Sequence, residues 1–323
     1  MLRTISFKRT AFLIFMALPC SLSASEFDTN IKLAQDAGTG KEKLAYSNKA
    51  LELWKSEYGG LKLASAYCER GSANHFLSEF ENAVADYDKC EELAGLGAGW
   101  GVPLHVNRAT SYLHLKNFNK ALADFTEAVN LSKASDPTPY IGICRIYELA
   151  GKHKEAMEQC RNALKLNPND DDAYSVLGII YYRMGDHKKA LVHFNKALET
   201  APLNNTVSVA KYETGKCGLL VRYYSLIGWD YYAQNKTETA KKYFNRSFNC
   251  SHEYWEAHLG LALVNNKKND LKNAATWFKS ALKLNPKINE MSYYKDNVQF
   301  MVLNPKIEKD IREVVDLYQY EAK

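Results

Sequence analysis

The feature that most constrains this chain is a recurrence. Ala156, Ala163 and Pro168 return 34 residues later as Ala190, Ala197 and Pro202, and the large residues between them keep step. A unit of that length cannot bury its apolar face alone, so the chain is expected to stack its units side by side rather than wrap one central core. Within the stretch 171–204 the apolar residues fall at helical spacing, and Gly185 and Asp186 interrupt them midway. Each unit therefore reads as two helices joined by a tight turn. Two antiparallel helices approach closely only where one offers a small residue and the other a large one. Gly178, Ala190 and Ala197 make the room, Tyr174, Leu177, Tyr181 and Phe194 fill it, and Pro202 stops the second helix.

Numbered from Asp171, the large residues stand at positions 4, 7, 11 and 24, the small ones at 8, 20 and 27, and the proline at 32. That spacing resembles the tetratricopeptide repeat, a helix-turn-helix unit that stacks into arrays. Residues 137–170 carry the same pattern through Tyr140, Ile143, Cys144, Tyr147, Ala156, Cys160, Ala163 and Pro168. Residues 102–135 keep it with Arg108 at position 7 and Lys133 in place of the proline. Residues 64–97 keep it with Arg70 and Asn74 at usually apolar positions, and 221–254 and 255–288 follow head to tail. The resemblance thus covers about six repeats and implies an all-α fold, a right-handed superhelical solenoid of antiparallel helix pairs.

The rest of the chain is expected to serve that array. Residues 26–63 read as a degenerate N-terminal helical pair, 64–204 as four repeats, 205–220 as an insert and 221–288 as two more repeats. In 289–323, Ile307, Ile311, Val314, Val315 and Leu317 recur at near-helical spacing and mark a C-terminal capping helix. The first 25 residues stand apart. Arg3, Lys8 and Arg9 precede the apolar run AFLIFMALP, small residues follow, and no acid appears before Glu26. That is the layout of a signal peptide cleaved near Ala24 or Ser25. A lipoprotein signal using Cys20 and an organellar presequence remain as alternatives. The run is too short for a permanent span, so none is expected after signal removal. The expected location is periplasmic or secreted.

Three of the 42 basic residues lie in that segment, which leaves 39 against 37 acids and a net charge of +2. Such a balance gives no concentrated basic face for nucleic acid. No HExxH, GxSxG, CxxC or complete phosphate loop occurs, so no catalytic residue, cofactor or metal is expected. His187 and His193 sit six residues apart, which turns them about 240° from each other on a helix, and they read as surface histidines. Lys188, Lys189 and Lys196 read as a solvated outer face.

Six cysteines lie beyond Cys20, an even number in a chain read as exported. In a helix pair that turns near the middle of the repeat, Cys144 at position 8 faces Cys160 at position 24. Cys68 and Cys90 meet the same condition, and Cys217 with Cys250 would be a third pair. The alternative is that these are small buried residues at tight positions.

In the family that the chain resembles, first-helix positions line a concave groove that holds extended peptides or partner helices. Carried onto this chain, those positions give Arg145, Ile179, Tyr182, Arg183, Arg222, Trp229 and Tyr232. Aromatics give contact area at low entropic cost and arginine pairs bidentately with carboxylates, so the groove is read as a site for a protein segment with apolar anchors and an acid group. The competing reading packs Tyr182 and Trp229 against the next repeat. The functional expectation is a noncatalytic scaffold or adaptor of the cell envelope. The alternative is a structural element that forms homo-oligomers through the insert or the C-terminal helix.

Overall fold

The computed structural model describes residues 18–94, 101–201, 220–290 and 305–321. Every regular element among them is helical, and the chain divides into two compact units, residues 1–115 and 116–323. The first unit holds α1 (Leu18–Asp36), α2 (Gly40–Leu53), α3 (Gly60–Phe76), α4 (Phe80–Ala94) and α5 (Gly101–His114). Helix α1 runs through the expected signal cleavage site, while residues 1–17 lie outside the described residues. Helices α1 and α2 pack as a pair, as do α3 and α4.

The second unit begins with α6 (Phe118–Leu131), followed by the pairs α7 (Thr138–Leu149) with α8 (His153–Leu166) and α9 (Asp171–Arg183) with α10 (His187–Thr200). It continues with α11 (Leu220–Ala233) and α12 (Thr237–Cys250), then α13 (Trp255–Lys267) and α14 (Leu271–Leu284), and ends in α15 (Pro305–Glu321). Most of the expected insert, including Cys217, lies outside the described residues.

The helix ends follow from local chemistry. Asp170, Asp186 and Asp270 each accept a hydrogen bond from the backbone N–H three residues on, which satisfies one orphan donor at the start of α9, α10 and α14. The turn between the two helices of a repeat places one residue in the left-handed region: Ser78, Lys116, Gly151, Gly185, Asn235 and Asn269. Glycine and asparagine are the residues that adopt this conformation at least cost.

Packing within each unit follows the small-against-large rule. Ala83, Ala121, Ala156, Ala190, Ala240 and Ala274, one per repeat at position 20, are fully buried. A Cβ at Gly178 would overlap the Phe194 ring. The Phe244 ring sits between Gly228 and Gly260, where a Cβ would come within 2.7 Å and 2.5 Å of it. At the end of the chain, Ile307, Ile311, Val314 and Val315 of α15 join the core formed by Leu259, Leu263, Phe278 and Ile288. Helix α15 packs on α13 and α14, so the apolar face of the last pair is covered.

Candidate partner-binding face

The first helices of the second unit, α7, α9, α11 and α13, carry a set of charges that meet across repeat boundaries. Arg145 Nη2 donates to Asp172 Oδ1 at 2.7 Å, and Arg222 Nη1 donates to the same oxygen at 3.3 Å. Burial alone would raise the Asp172 pKa, but the two guanidiniums outweigh it and hold the carboxyl below the usual range. Beside it the Tyr223 hydroxyl donates to Asp171 at 2.6 Å. Three repeats thus converge on one pair of aspartates.

A second pair links α7 to α9. Arg183 Nε lies 2.6 Å from Glu148 Oε1, and Arg183 Nη1 donates to the Glu148 carbonyl at 3.2 Å. Burial pushes the Glu148 carboxyl up to about 7 even though Arg183 and Arg145 oppose the shift. Further along, His187 Nδ1 donates to Asp230 Oδ1 at 2.8 Å and Gln234 donates to the other oxygen at 2.5 Å. Asp230 is fully buried, so these two donors replace the water it has lost. At the end of the unit the Tyr232 hydroxyl donates to Asp310 of α15 at 2.7 Å, and Lys267 Nζ lies 3.1 Å from the same carboxylate.

The seven residues expected to line a groove divide into two groups. The arginines 145, 183 and 222 remain partly exposed, but each is already paired with an acid of this chain. The apolar members are core: Ile179 is 4% exposed, Tyr182 9%, Trp229 2% and Tyr232 0%. This corrects the expectation of aromatic anchors open to a ligand. Trp229 packs edge-on against Phe244 at 4.8 Å, and Tyr232 is closed off by Asp310 and by Lys267, whose Nζ stands 3.8 Å from the ring centre. Neighbouring helices cover these side chains as soon as the repeats stack.

The two histidines are partly exposed, and both have partners within the chain. His187 is committed to Asp230, and His193 stacks on Tyr181 with ring centres 5.2 Å apart. Sequence reasoning named the basic half of the face and missed the acids Glu148, Asp172 and Asp230. Their signal in the sequence is a carboxylate on each of the first helices α7, α9 and α11.

Four of the cysteines form bonds within repeats. Cys144 is joined to Cys160 and Cys68 to Cys90, each bond tying the two helices of one pair. Cys250 is also disulfide-bonded, while Cys217, the partner expected for it, lies outside the described residues. Among the described residues no group of three or more His, Cys, Asp or Glu is placed to hold a metal, and no helix is long and apolar enough to cross a membrane.

Comparison with known proteins agrees with this architecture. Family patterns described as tetratricopeptide repeat match residues 64–95, 102–135, 171–204 and 226–287, and one described as TPR repeat matches 145–185. The BBSome complex member BBS4 of Bos taurus is 24% identical over 203 residues, 57% of this chain and 39% of that protein. A TPR repeat-containing protein of Methanocaldococcus jannaschii is 28% identical over 184 residues, 54% of this chain and 28% of that protein. The chain therefore spans well under half the length of these relatives. Among solved structures, a tetratricopeptide repeat protein from Parabacteroides merdae superposes with a TM-score of 0.63 at 15% identity, over 91% of this chain and 99% of that one. The APC/C hetero-tetramer Cut9–Hcn1 gives a TM-score of 0.57 at 16% identity, over 94% of this chain and 56% of that one. With family patterns matched over more than half of its length and the fold in agreement, the chain belongs to the tetratricopeptide repeat family.

Proposed function

We propose that the protein is a noncatalytic scaffold that holds a partner protein segment on the first-helix face of residues 138–267. The observation that carries this reading is the convergence of Arg145 and Arg222 on Asp172. These groups are partly exposed and come from three consecutive repeats, so a bound segment would contact all three at once. Because the arginines already hold acids, the segment that fits is one that extends the alternation with both an acid and a base, rather than an acidic tail alone. The buried aromatics beneath support the face and do not anchor the ligand. Similar proteins include one named as a member of a complex and one solved within a hetero-tetramer, which agrees with a role in assembly.

Placement in an oxidising compartment fits the helix-pair disulfides and the basic and apolar start of the chain. The face is tested by affinity capture from the native host with wild-type protein and with Arg145→Ala/Asp172→Ala. A loss of recovery of tenfold or more, with helicity unchanged by circular dichroism, supports the site. Equal recovery removes it. The self-assembly alternative has a cost, since Ile307, Ile311, Val314 and Val315 are already buried within the unit and an exchange of α15 would have to uncover them. Light scattering on the mature protein distinguishes a monomer from such an assembly.

A further inference from the structure

Alignment of the six repeats isolates one departure. Position 24 holds Tyr87, Phe125, Phe194, Phe244 and Phe278 in five of them, but Cys160 in the copy 137–170. Position 8 holds Gly71, Ala109, Gly178, Gly228 and Ala262, but Cys144 in that same copy. Where position 8 is glycine, the ring at position 24 fills the space left by the absent side chain: Tyr87 lies beside Gly71, Phe194 beside Gly178 and Phe244 beside Gly228. Between α7 and α8 position 24 supplies no ring, and the ring seated against Gly142 of α7, Phe125, comes from α6 of the preceding repeat. Cys144 and Cys160 are fully buried and bonded there, among Ala156, Val176, Leu177 and Ile180.

We infer that the Cys144–Cys160 disulfide takes the place of the aromatic knob in this one repeat, so that the helix pair α7–α8 depends on oxidation for its packing. Without the bond the two helices would be left with two small thiols at the position where other repeats place a phenyl or phenol ring. The consequence reaches the first-helix face, because Arg145 is the next residue after Cys144 and Glu148 follows one turn on. Both side chains reach α9, at Asp172 and Arg183. Loosening α7 therefore displaces two of the groups that pair repeat to repeat.

The second bridge makes the contrast internal. Cys68–Cys90 lies in a repeat that keeps its ring at position 24, Tyr87, so that bond supplements an existing knob. The chemistry is a two-electron oxidation. Two thiols lose two protons and two electrons to an external disulfide, which leaves as two thiols, and one S–S bond forms in the protein. Because both sulfurs are buried, the exchange takes place while the repeat is open, and the folded repeat keeps the bond.

The test uses the full chain and hydrogen exchange resolved by segment. Cys144→Ser/Cys160→Ser is expected to exchange at least tenfold faster in α7 and α8, while Cys68→Ser/Cys90→Ser changes α3 and α4 by less than threefold. Cys144→Ala/Cys160→Phe, which restores the residue types of the other copies, is expected to recover protection to within threefold of wild type and to keep it in reductant. Wild-type chain refolded in reductant supplies a readout that needs no substitution: α7 and α8 lose protection while α9 and α10, which hold no cysteine, retain theirs. Unchanged exchange in the serine pair or in the reduced wild type overturns the inference. So does an alanine-phenylalanine pair no better protected than the serine pair.

Discussion

The repeat at 64–97 and the repeats at 171–204 and 221–254 solve one packing problem with different chemistry. All three seat the position-24 ring beside a glycine, but in the later two positions 7 and 11 are Leu177 and Tyr181, and Ile227 and Tyr231. In the earlier repeat, Arg70 and Asn74 stand at positions 7 and 11 and both donate to Asp86, at 2.6 Å and 2.8 Å for the closest contacts. His75 adds a contact with the Ser111 hydroxyl at 2.9 Å, and Arg108 donates to Asp88 and Glu91. An apolar knob is held by shape and tolerates no added volume. A polar staple is held by pairing and tolerates no lost partner.

The largest effects are expected from removing the central member of each arrangement. Phe244→Ala empties the space between Gly228 and Gly260 and should cost about 3–5 kcal/mol in denaturant unfolding. Asp86→Ala leaves Arg70 and Asn74 without their carboxylate and should cost about 2–4 kcal/mol, with the loss confined to the first unit. Asp86→Asn, which keeps the shape, separates the two solutions: it should remain costly, whereas Phe244→Leu should recover roughly half of the loss. If Asp86→Asn proves neutral, the polar staple is shape packing after all.

Added volume gives the next largest contrast. Gly178→Ala drives a methyl into the Phe194 ring and should cost about 2–3 kcal/mol. Gly71→Ala meets the Tyr87 ring at 3.0 Å, a distance a small ring shift relieves, and should cost about 1 kcal/mol or less. Thermal unfolding of the two variants ranks them directly. Equal shifts would mean that the first unit is packed as tightly as the second.

Acidification should move the first unit and the 137–170 repeat of the second in opposite directions. Burial, with a smaller contribution from His114, lowers the His75 pKa to about 4. The unfolded chain takes up that proton near pH 6.5 and the folded chain does not, so the first unit loses stability as pH falls from about 7 towards 4. Glu148 is the reverse case, raised to about 7 by burial. The folded chain takes up its proton near neutrality, the unfolded chain only near pH 4.5, so its surroundings gain stability over the same fall. Each effect is on the order of 1–2 kcal/mol. Segment-resolved hydrogen exchange between pH 7 and pH 5 should show faster opening in α3 and slower opening in α7. Glu148→Gln should abolish the second trend and leave the first.

Legibility in the sequence followed the same division. The repeat frame was read from residues that act alone, the alanines at position 20 and the rings at position 24, because shape complementarity is written in residue size. The family and the helix pairs came with it. The burial of Trp229 and Tyr232 was not readable from a single repeat, since the next helices and α15 cover them. The acid partners were missed for a related reason. Asp172 lies 27 residues from Arg145 and 50 from Arg222, so the pairing depends on how repeats lie against each other and on the length of the insert. Arg70 and Asn74 break the apolar pattern of the repeat because their partner, Asp86, lies 16 and 12 residues on.

The smallest effects are expected at the turns, where the two regions differ in how well the residue suits the backbone. Ser78 in the first unit holds φ at 64°, and Gly185 in the second holds it at 76°. A left-handed conformation costs a residue with a Cβ roughly 1 kcal/mol, and glycine avoids that cost while losing about 0.5 kcal/mol more chain entropy on folding. Ser78→Gly should therefore stabilise the first unit by about 0.5 kcal/mol, and Gly185→Ala should destabilise the second by about 1 kcal/mol. The two substitutions touch no knob and no staple. If chemical denaturation gives opposite signs for them, the turn is one shared backbone device, and the difference between the regions lies in the helix faces alone.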